Sequence, residues 1–257
     1  MLKSVANCVA GLSLVAACAS IGAVEARAAA ATAAKPDFTG VYTNYQEPGA
    51  ARPVRGAAQP ELPLTPIAKE KIAAYQALVS PKSETPGAFC LGTGMPGSML
   101  GSGGYPMEIV QRADQLTVLY EAHTEMRHIY LGARMIPVGD QVQDRNGYSE
   151  AHWEGNTLVV NTSQLKEQVD QRYAHSANAK IVERYHAEKD AKGGNVLVAE
   201  MTMTDPTFYT QPITATKKWS QIPNGHLMTY ECDEETWDNH LADLKKQAAG
   251  SSAQAAR

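Results

Sequence analysis

The pattern of apolar and polar positions changes character near residue 105. Before it, one stretch has a helical period: "LTPIAKEKIAAYQALVS" (64–80), in which Ile67, Ala68, Ile72, Tyr75 and Leu78 make one apolar stripe. Thr65 is placed to cap the N-terminus, Pro66 suits the first helical position and Pro81 stops the run, which predicts a helix over 65–80. The flanking segments 46–63 and 81–104 are dense in Gly, Pro, Ala and Ser without a period, and they read as loops.

After residue 105 the texture is short alternating runs separated by turn residues. "YPMEIVQR", "LTVLYEAH", "EMRHIYLG", "YSEAHW", "TLVVNT", "KIVERYHA", "NVLVAEMTMT", "ITATKKWSQ" and "HLMTYEC" predict about nine strands, and "DFTGVY" (37–42) predicts an earlier one. The strands are joined mostly by hairpin turns, so the pattern is an antiparallel meander. Closing it would remove its edges. The expected fold is mainly β: a lipocalin-like barrel or strongly curved sheet, with one N-terminal helix packed on it or plugging an end. The expected organisation is a single β domain over 37–235, followed by a short helix and disordered tail over 236–257.

One hairpin is legible to its register. In "SEAHWEGNTLVVNTS" (149–163), a two-residue Gly155-Asn156 turn puts Glu154 opposite Thr157, Trp153 opposite Leu158 and Ala151 opposite Val160. Ala151, Trp153, Leu158, Val160 and Thr162 then share the core face. Read this way, the stretch is a hairpin held by a Trp rather than a catalytic loop.

The first residues change the compartment. Lys3, an apolar run from Val5 to about Ala19 and Ala26-Arg27-Ala28 describe a secretory signal peptide over 1–28, followed by an Ala-rich disordered linker over 29–36. Val15-Ala16-Ala17-Cys18 also fits a lipobox, which would anchor the protein to a membrane through a lipidated Cys18. A periplasmic or secreted protein is therefore expected, with membrane attachment only through Cys18. Losing residues 1–28 moves the net charge from −4 to about −5. A mildly acidic chain without a Lys/Arg cluster argues against nucleic acid as a partner. In an oxidising compartment Cys90 and Cys232 form one possible disulfide; two buried thiols are the alternative.

Candidate chemistry is sparse. "GTGMPG" (92–97) lacks the flanking strand, helix and Lys-Ser/Thr ending of a phosphate loop. Ser176 has no nucleophile elbow around it. His123, His128 and His152 lie on or near neighbouring strands, but their spacing marks no metal site, and neither a metal nor a cofactor is expected. His175 sits in a loop before a strand and suits proton transfer near neutral pH, with Glu108, Glu183 or Asp205 to orient it. Arg127, Arg134 and Arg184 suit a carboxylate or phenolate of a ligand, or cross-strand pairs with Glu. Tyr105, Tyr120, Tyr130, Trp153, Tyr185, Tyr209 and Trp219 are candidates to line a cavity, or to fill a small barrel.

Several segments together resemble a broad group of exported, largely uncharacterised bacterial proteins: "CLGTGMPGSM" (90–99), "YPMEIVQ" (105–111), "VLYEAHTEMRHIYLGAR" (118–134), "WEGNTLVVNT" (153–162), "AHSANAKIVERY" (174–185), "DPTFYTQP" (205–212) and "YEC" (230–232). The W-E-G hairpin is the most specific piece. The resemblance implies paired cysteines at Cys90 and Cys232, and it singles out Tyr105, Glu108, Arg127, Tyr130, Arg134, Trp153, His175, Arg184 and Tyr209. The chain departs from the group at Gly132, Ala133, Ile136, Asn156, Ala174 and Ala177, so part of the group's polar set is absent. Two readings follow. One is a module that binds a small apolar or aromatic molecule, with Tyr105, Tyr130, Arg134, Trp153, Arg184 and Tyr209 around it. The other is a cofactor-independent lyase or isomerase using His175, Glu108 and Arg127. The enzyme reading requires His175 within hydrogen-bond reach of a carboxylate, both facing one pocket. A structural envelope protein, with a filled barrel, is third. The oligomeric state is left open.

Overall fold

The structure, a computed structural model, describes residues 34–49, 60–82, 84–101, 104–230 and 235–255. The expected signal peptide, Cys18, most of the linker and Cys232 lie outside the described residues. The described residues from Lys35 onward form one compact unit.

Nine strands close into a barrel in chain order. They are β1 (Gly40–Asn44), β2 (Met107–Gln111), β3 (Gln115–Tyr120), β4 (Glu125–Leu131), β5 (Tyr148–Glu154), β6 (Thr157–Ser163), β7 (Lys180–Lys189), β8 (Asn195–Thr204) and β9 (Ile213–Ile222). Closure comes from β1, which pairs with β2 on one side and β9 on the other. The fold is the mainly β barrel that the alternation predicts, and the 150–163 hairpin has the predicted register, from Glu154 opposite Thr157 to Ala151 opposite Val160. Gly155 takes φ +58°, which an L side chain rarely adopts.

Two expectations need correction. "HLMTYEC" is not a strand over its described part: the edge of β9 it would have paired with is taken by β1. Residues 226–230 instead lie over the β3–β4 turn, with the Met228 N–H donating to Glu121 Oε2 at 2.7 Å and Thr124 Oγ1 donating to the Tyr230 carbonyl at 2.7 Å. The meander is also broken once, because β4 and β5 run parallel. Residues 132–147 carry the chain back along the outside, as a parallel connection requires. That crossing leaves Val138 and Val142 74% and 76% exposed.

The helix α1 (Pro66–Val79) forms where its caps predict, with Thr65 Oγ1 accepting from the Ala68 N–H at 3.3 Å. Its apolar stripe is divided. Ala68 enters the barrel core, Val79 joins a small separate cluster with Leu91, and Ile67 stays exposed. The helix start is stitched to the β8–β9 turn: the Thr65 N–H donates to the Phe208 carbonyl and the Thr210 N–H to the Pro63 carbonyl, both at 2.9 Å. A one-turn helix α2 (Gly97–Leu100) places Met95 and Met99 in the core at that end, alongside Leu165 and Phe208. Phe38 is buried at the other end, against the ring of Trp153 at 5.6 Å. The C-terminal helix α3 (Glu235–Ala255) is longer than the short helix expected, because no Pro interrupts its Ala-, Gln- and Lys-rich run.

Candidate functional site

The inner face of the barrel is apolar except where alternation turns charged side chains inward. On β4 the inward positions are Arg127, Ile129 and Leu131; on β7 they are Ile181, Glu183 and Tyr185. Arg127 and Glu183 meet as a bidentate pair, Nη1 to Oε1 at 3.0 Å and Nη2 to Oε2 at 2.5 Å, with neither side chain exposed. Ser149 Oγ accepts from Arg127 Nε at 3.1 Å and Thr162 Oγ1 accepts from Nη2 at 2.8 Å. The Tyr185 hydroxyl donates to Glu183 Oε1 at 2.6 Å. Burial disfavours the guanidinium charge, but the adjacent Glu183 carboxylate outweighs it and raises the Arg127 pKa. Burial pushes the phenols of Tyr120 and Tyr185 up, so both stay protonated. Strands β4, β5, β6 and β7 thus share one satisfied network, which fills the lumen beside them.

Glu108, expected to act with Arg127, is on the other side of the wall. Met107 and Ile109 take the inward positions of β2, so Glu108 faces out. His175 is buried completely, its Nε2 3.0 Å from the Met95 carbonyl and its Nδ1 3.2 Å from the Ser176 carbonyl. Burial pushes its pKa down despite those carbonyls. No carboxylate is hydrogen-bonded to it among the described residues. The imidazole pins the loop before α2 to the β6–β7 connection. Its neighbours do similar work: Asp205 accepts from the Ser176 N–H at 2.6 Å and the Ser176 hydroxyl at 2.8 Å, and the Tyr209 hydroxyl donates to the Ala174 carbonyl at 2.6 Å.

The expected ligand-binding set does not converge. Tyr130 stacks on Tyr148 at 5.6 Å outside the barrel, beneath the crossing segment. Arg134 reaches Asp114 at 3.5 Å and Arg184 reaches Glu154 at 2.7 Å, all in exposed surroundings. Tyr105 meets Tyr230 edge-on at 5.7 Å, and Trp153 belongs to the Phe38 plug at the opposite end from Tyr209.

Several open spaces surround the capped end. One of about 590 Å³ is bordered by His123, Glu125, Asp144, Arg145 and Lys166. Three of those charges are already engaged: Arg145 with Asp170 at 3.0 Å, Glu125 with the Gly94 N–H at 2.9 Å, and Asp144 with the Gly147 N–H at 2.6 Å. Another, of about 470 Å³, lies between α2 and β9 and is bordered by Leu100, Gly101, Tyr173, Ala215, Thr216 and Lys217. It opens where β1 has ended and leaves the first half of β9 without a strand on that side.

Lys217 stands apart from the other charges. It has the inward parity of Ala215 and Trp219, and its ammonium lies 6.0 Å from the Trp219 ring centre. No acceptor is within hydrogen-bond or ion-pair reach of it among the described residues. Desolvation alone pulls its pKa down, with no carboxylate to restore it. Beside it, Trp219 Nε1 and Asn44 Oδ1 are buried without partners. Asn44 and Trp219 face each other across β1 and β9, so these polar groups share one patch of the inner wall. Sequence reasoning named Trp219 as a cavity aromatic and overlooked Lys217. The signal was there: in "ITATKKW" the alternate residues Ile213, Ala215, Lys217 and Trp219 are apolar but for one Lys.

Fold and site together define a nine-stranded, mainly antiparallel β-barrel, plugged at both ends, with a cleft in its wall at β9. No family model, curated protein or solved structure matches the chain.

Proposed function

We propose that the protein is an exported β-barrel that binds a small apolar or aromatic molecule in the cleft between α2 and β9. The observation that carries this is the cleft itself: about 470 Å³, bordered by the apolar faces of Leu100, Tyr173 and Ala215 and by Lys217 and Gln171, whose Oε1 has no partner, with the unpartnered Trp219 Nε1 and Asn44 Oδ1 on the adjoining inner wall. Buried polar groups are ordinarily satisfied, so a patch of orphans beside an opening marks a place a ligand would complete. The lumen itself is occupied by Trp219, Arg127, Met201 and their neighbours, so this reading moves the ligand from the barrel centre to the wall. Among the described residues, the enzyme reading lacks the carboxylate it needs in hydrogen-bond reach of His175.

The likeness to the exported group belongs to this reading. Its segments fall on parts that hold the fold: the W-E-G hairpin is β5–β6, and the His-Ser and Asp-Pro pieces clasp each other through Ser176 and Asp205. The Cys90–Cys232 disulfide belongs to it too. Support comes from the packing of the two cysteine-bearing segments: a Cβ on Gly87 would touch the His123 ring at 3.4 Å, and that ring lies 5.1 Å from Tyr230. Export to the periplasm or beyond is part of the same reading, supported by the signal-peptide pattern of residues 1–28.

The test is native mass spectrometry of the protein recovered from its own exported fraction, alongside Ala215→Trp, which fills the cleft. A small molecule retained by the parent and lost from the variant is the expected result. Equal retention by both places the ligand elsewhere, and no retention together with no binding of aromatic probes removes the reading. The same spectrum reads the processing site and shows a disulfide as a loss of two hydrogens.

A further inference from the structure

Lys217 is the one charged residue on the inner face of β9, and its surroundings are unusual for an ammonium. Lysine normally keeps its charge in water or beside a carboxylate. Here the stem runs along the cleft wall, and the ammonium is tucked over the face of a Trp that is 1% exposed. The indole face gives some cation–π attraction but does not accept a hydrogen bond from all three N–H groups. The charged neighbours do not help. Arg172, on the cleft rim, is a second cation, and Lys218 points outward to Glu188 at 2.9 Å. The barrel's inner carboxylate, Glu183, is committed to Arg127 and Tyr185.

A neutral ligand could offer an oxygen acceptor but would leave the charge uncompensated. An anion would supply both the missing acceptor and the opposite charge, and Trp219 Nε1, on the adjoining inner wall, is a further donor without a protein acceptor. Around them the cleft offers an apolar and aromatic face through Leu100, Ala215 and Tyr173, edged by the polar Thr93, Gln171 and Thr216. A site of this composition fits a molecule with an apolar body and one planar oxyanion.

We propose that the ligand of the cleft is a small carboxylate with an aromatic or apolar body, held by Lys217 as its counter-ion. The proposal rests on the cleft being the binding site and adds the chemical class of what binds there. Lys217 is the residue that selects the charge, and the apolar wall selects the body.

The experiment uses the full chain and two pairs of probes, benzoate against benzamide and 4-phenylbutyrate against 4-phenylbutanamide. Each pair has nearly the same shape and differs in charge. Titration calorimetry should show the carboxylates binding about ten- to a hundred-fold more tightly, as expected for hydrogen bonds to a charged group. Lys217→Gln should remove that preference while leaving the amides unchanged, and Lys217→Arg should retain part of it. Reductive methylation read by mass spectrometry is an independent check, since bound carboxylate should protect Lys217 and leave the exposed lysines reactive. Equal binding of acid and amide would overturn the carboxylate assignment while the cleft survives as a binding site. A preference that persists in Lys217→Gln would place the anion elsewhere and overturn the role of Lys217. No binding of any probe would overturn both.

Discussion

Two cations face the inside of this barrel from strands that are not neighbours, and they are treated in opposite ways. Arg127 on β4 has a carboxylate, two hydroxyls and two phenols arranged around it, drawn from β3 to β7. Lys217 on β9 has an indole face. The difference follows from the wall each sits in. Arg127 reaches across the lumen to β5, β6 and β7, which supply Ser149, Thr162 and Glu183 as partners. At Lys217 the wall is interrupted, because β1 ends at Asn44 and an opening takes the place of a strand. A charge inside a closed wall becomes part of the fold. A charge at a gap is left for something from outside.

The strongest way to break this comparison is to remove the acid of the closed side. Glu183→Ala leaves Arg127 buried without its counter-ion and should cost about 3–5 kcal/mol of stability, read by urea or thermal unfolding. Replacing both, as Arg127→Met with Glu183→Leu, should recover most of that loss. If the single variant unfolds like the parent, the network is not what holds β4 to β7. A smaller loss, about 1.5–3 kcal/mol, is expected from Tyr185→Phe, which takes a hydroxyl from the Glu183 carboxylate.

Lys217→Met should act in the other direction. It removes a desolvated cation with no acceptor, so the variant should be at least as stable as the parent near neutral pH. The sign of the pH dependence follows from the lowered pKa of Lys217. Between its folded value and the ordinary value of about 10.4, the unfolded chain holds a proton that the folded one has released. The parent should therefore gain stability relative to Lys217→Met as the pH rises through that window. Parallel profiles from pH 7 to 10.5 would count against a desolvated amine. The smallest effect belongs to the exposed pair on the barrel's outer surface: Arg184→Ala should not change the melting temperature measurably, because water already screens its contact with Glu154.

The parts that were legible in the sequence are those set by local chemistry. The Gly155-Asn156 turn fixes a hairpin register that needs no other strand, and Thr65-Pro66 starts a helix on its own. Once the strands are known, alternation also puts Arg127, Glu183 and Lys217 on the inner face. Whether two inner residues meet is another matter. Arg127 and Glu183 are 56 positions apart, and only the closed order of strands brings them together. His175 shows the reverse limit. A loop position says nothing of depth, and this one lies under Met95 with both ring nitrogens on carbonyls. The orphaned "HLMTYEC" run fails for a related reason: its strand-like alternation is real, but β1 had already taken the edge it would have joined.

The parallel contact between β4 and β5 has a consequence that is purely arithmetical. Strands round a closed ring can alternate up and down without exception only if their number is even. Nine is odd, so some neighbours in this ring must point the same way. The excursion over 132–147 is therefore the toll of the count and no accident of the loop. An eight- or ten-membered relative could discard that segment and turn β4 into β5 with two residues. While the count stays at nine, shortening the crossing can only move the mismatch to another seam.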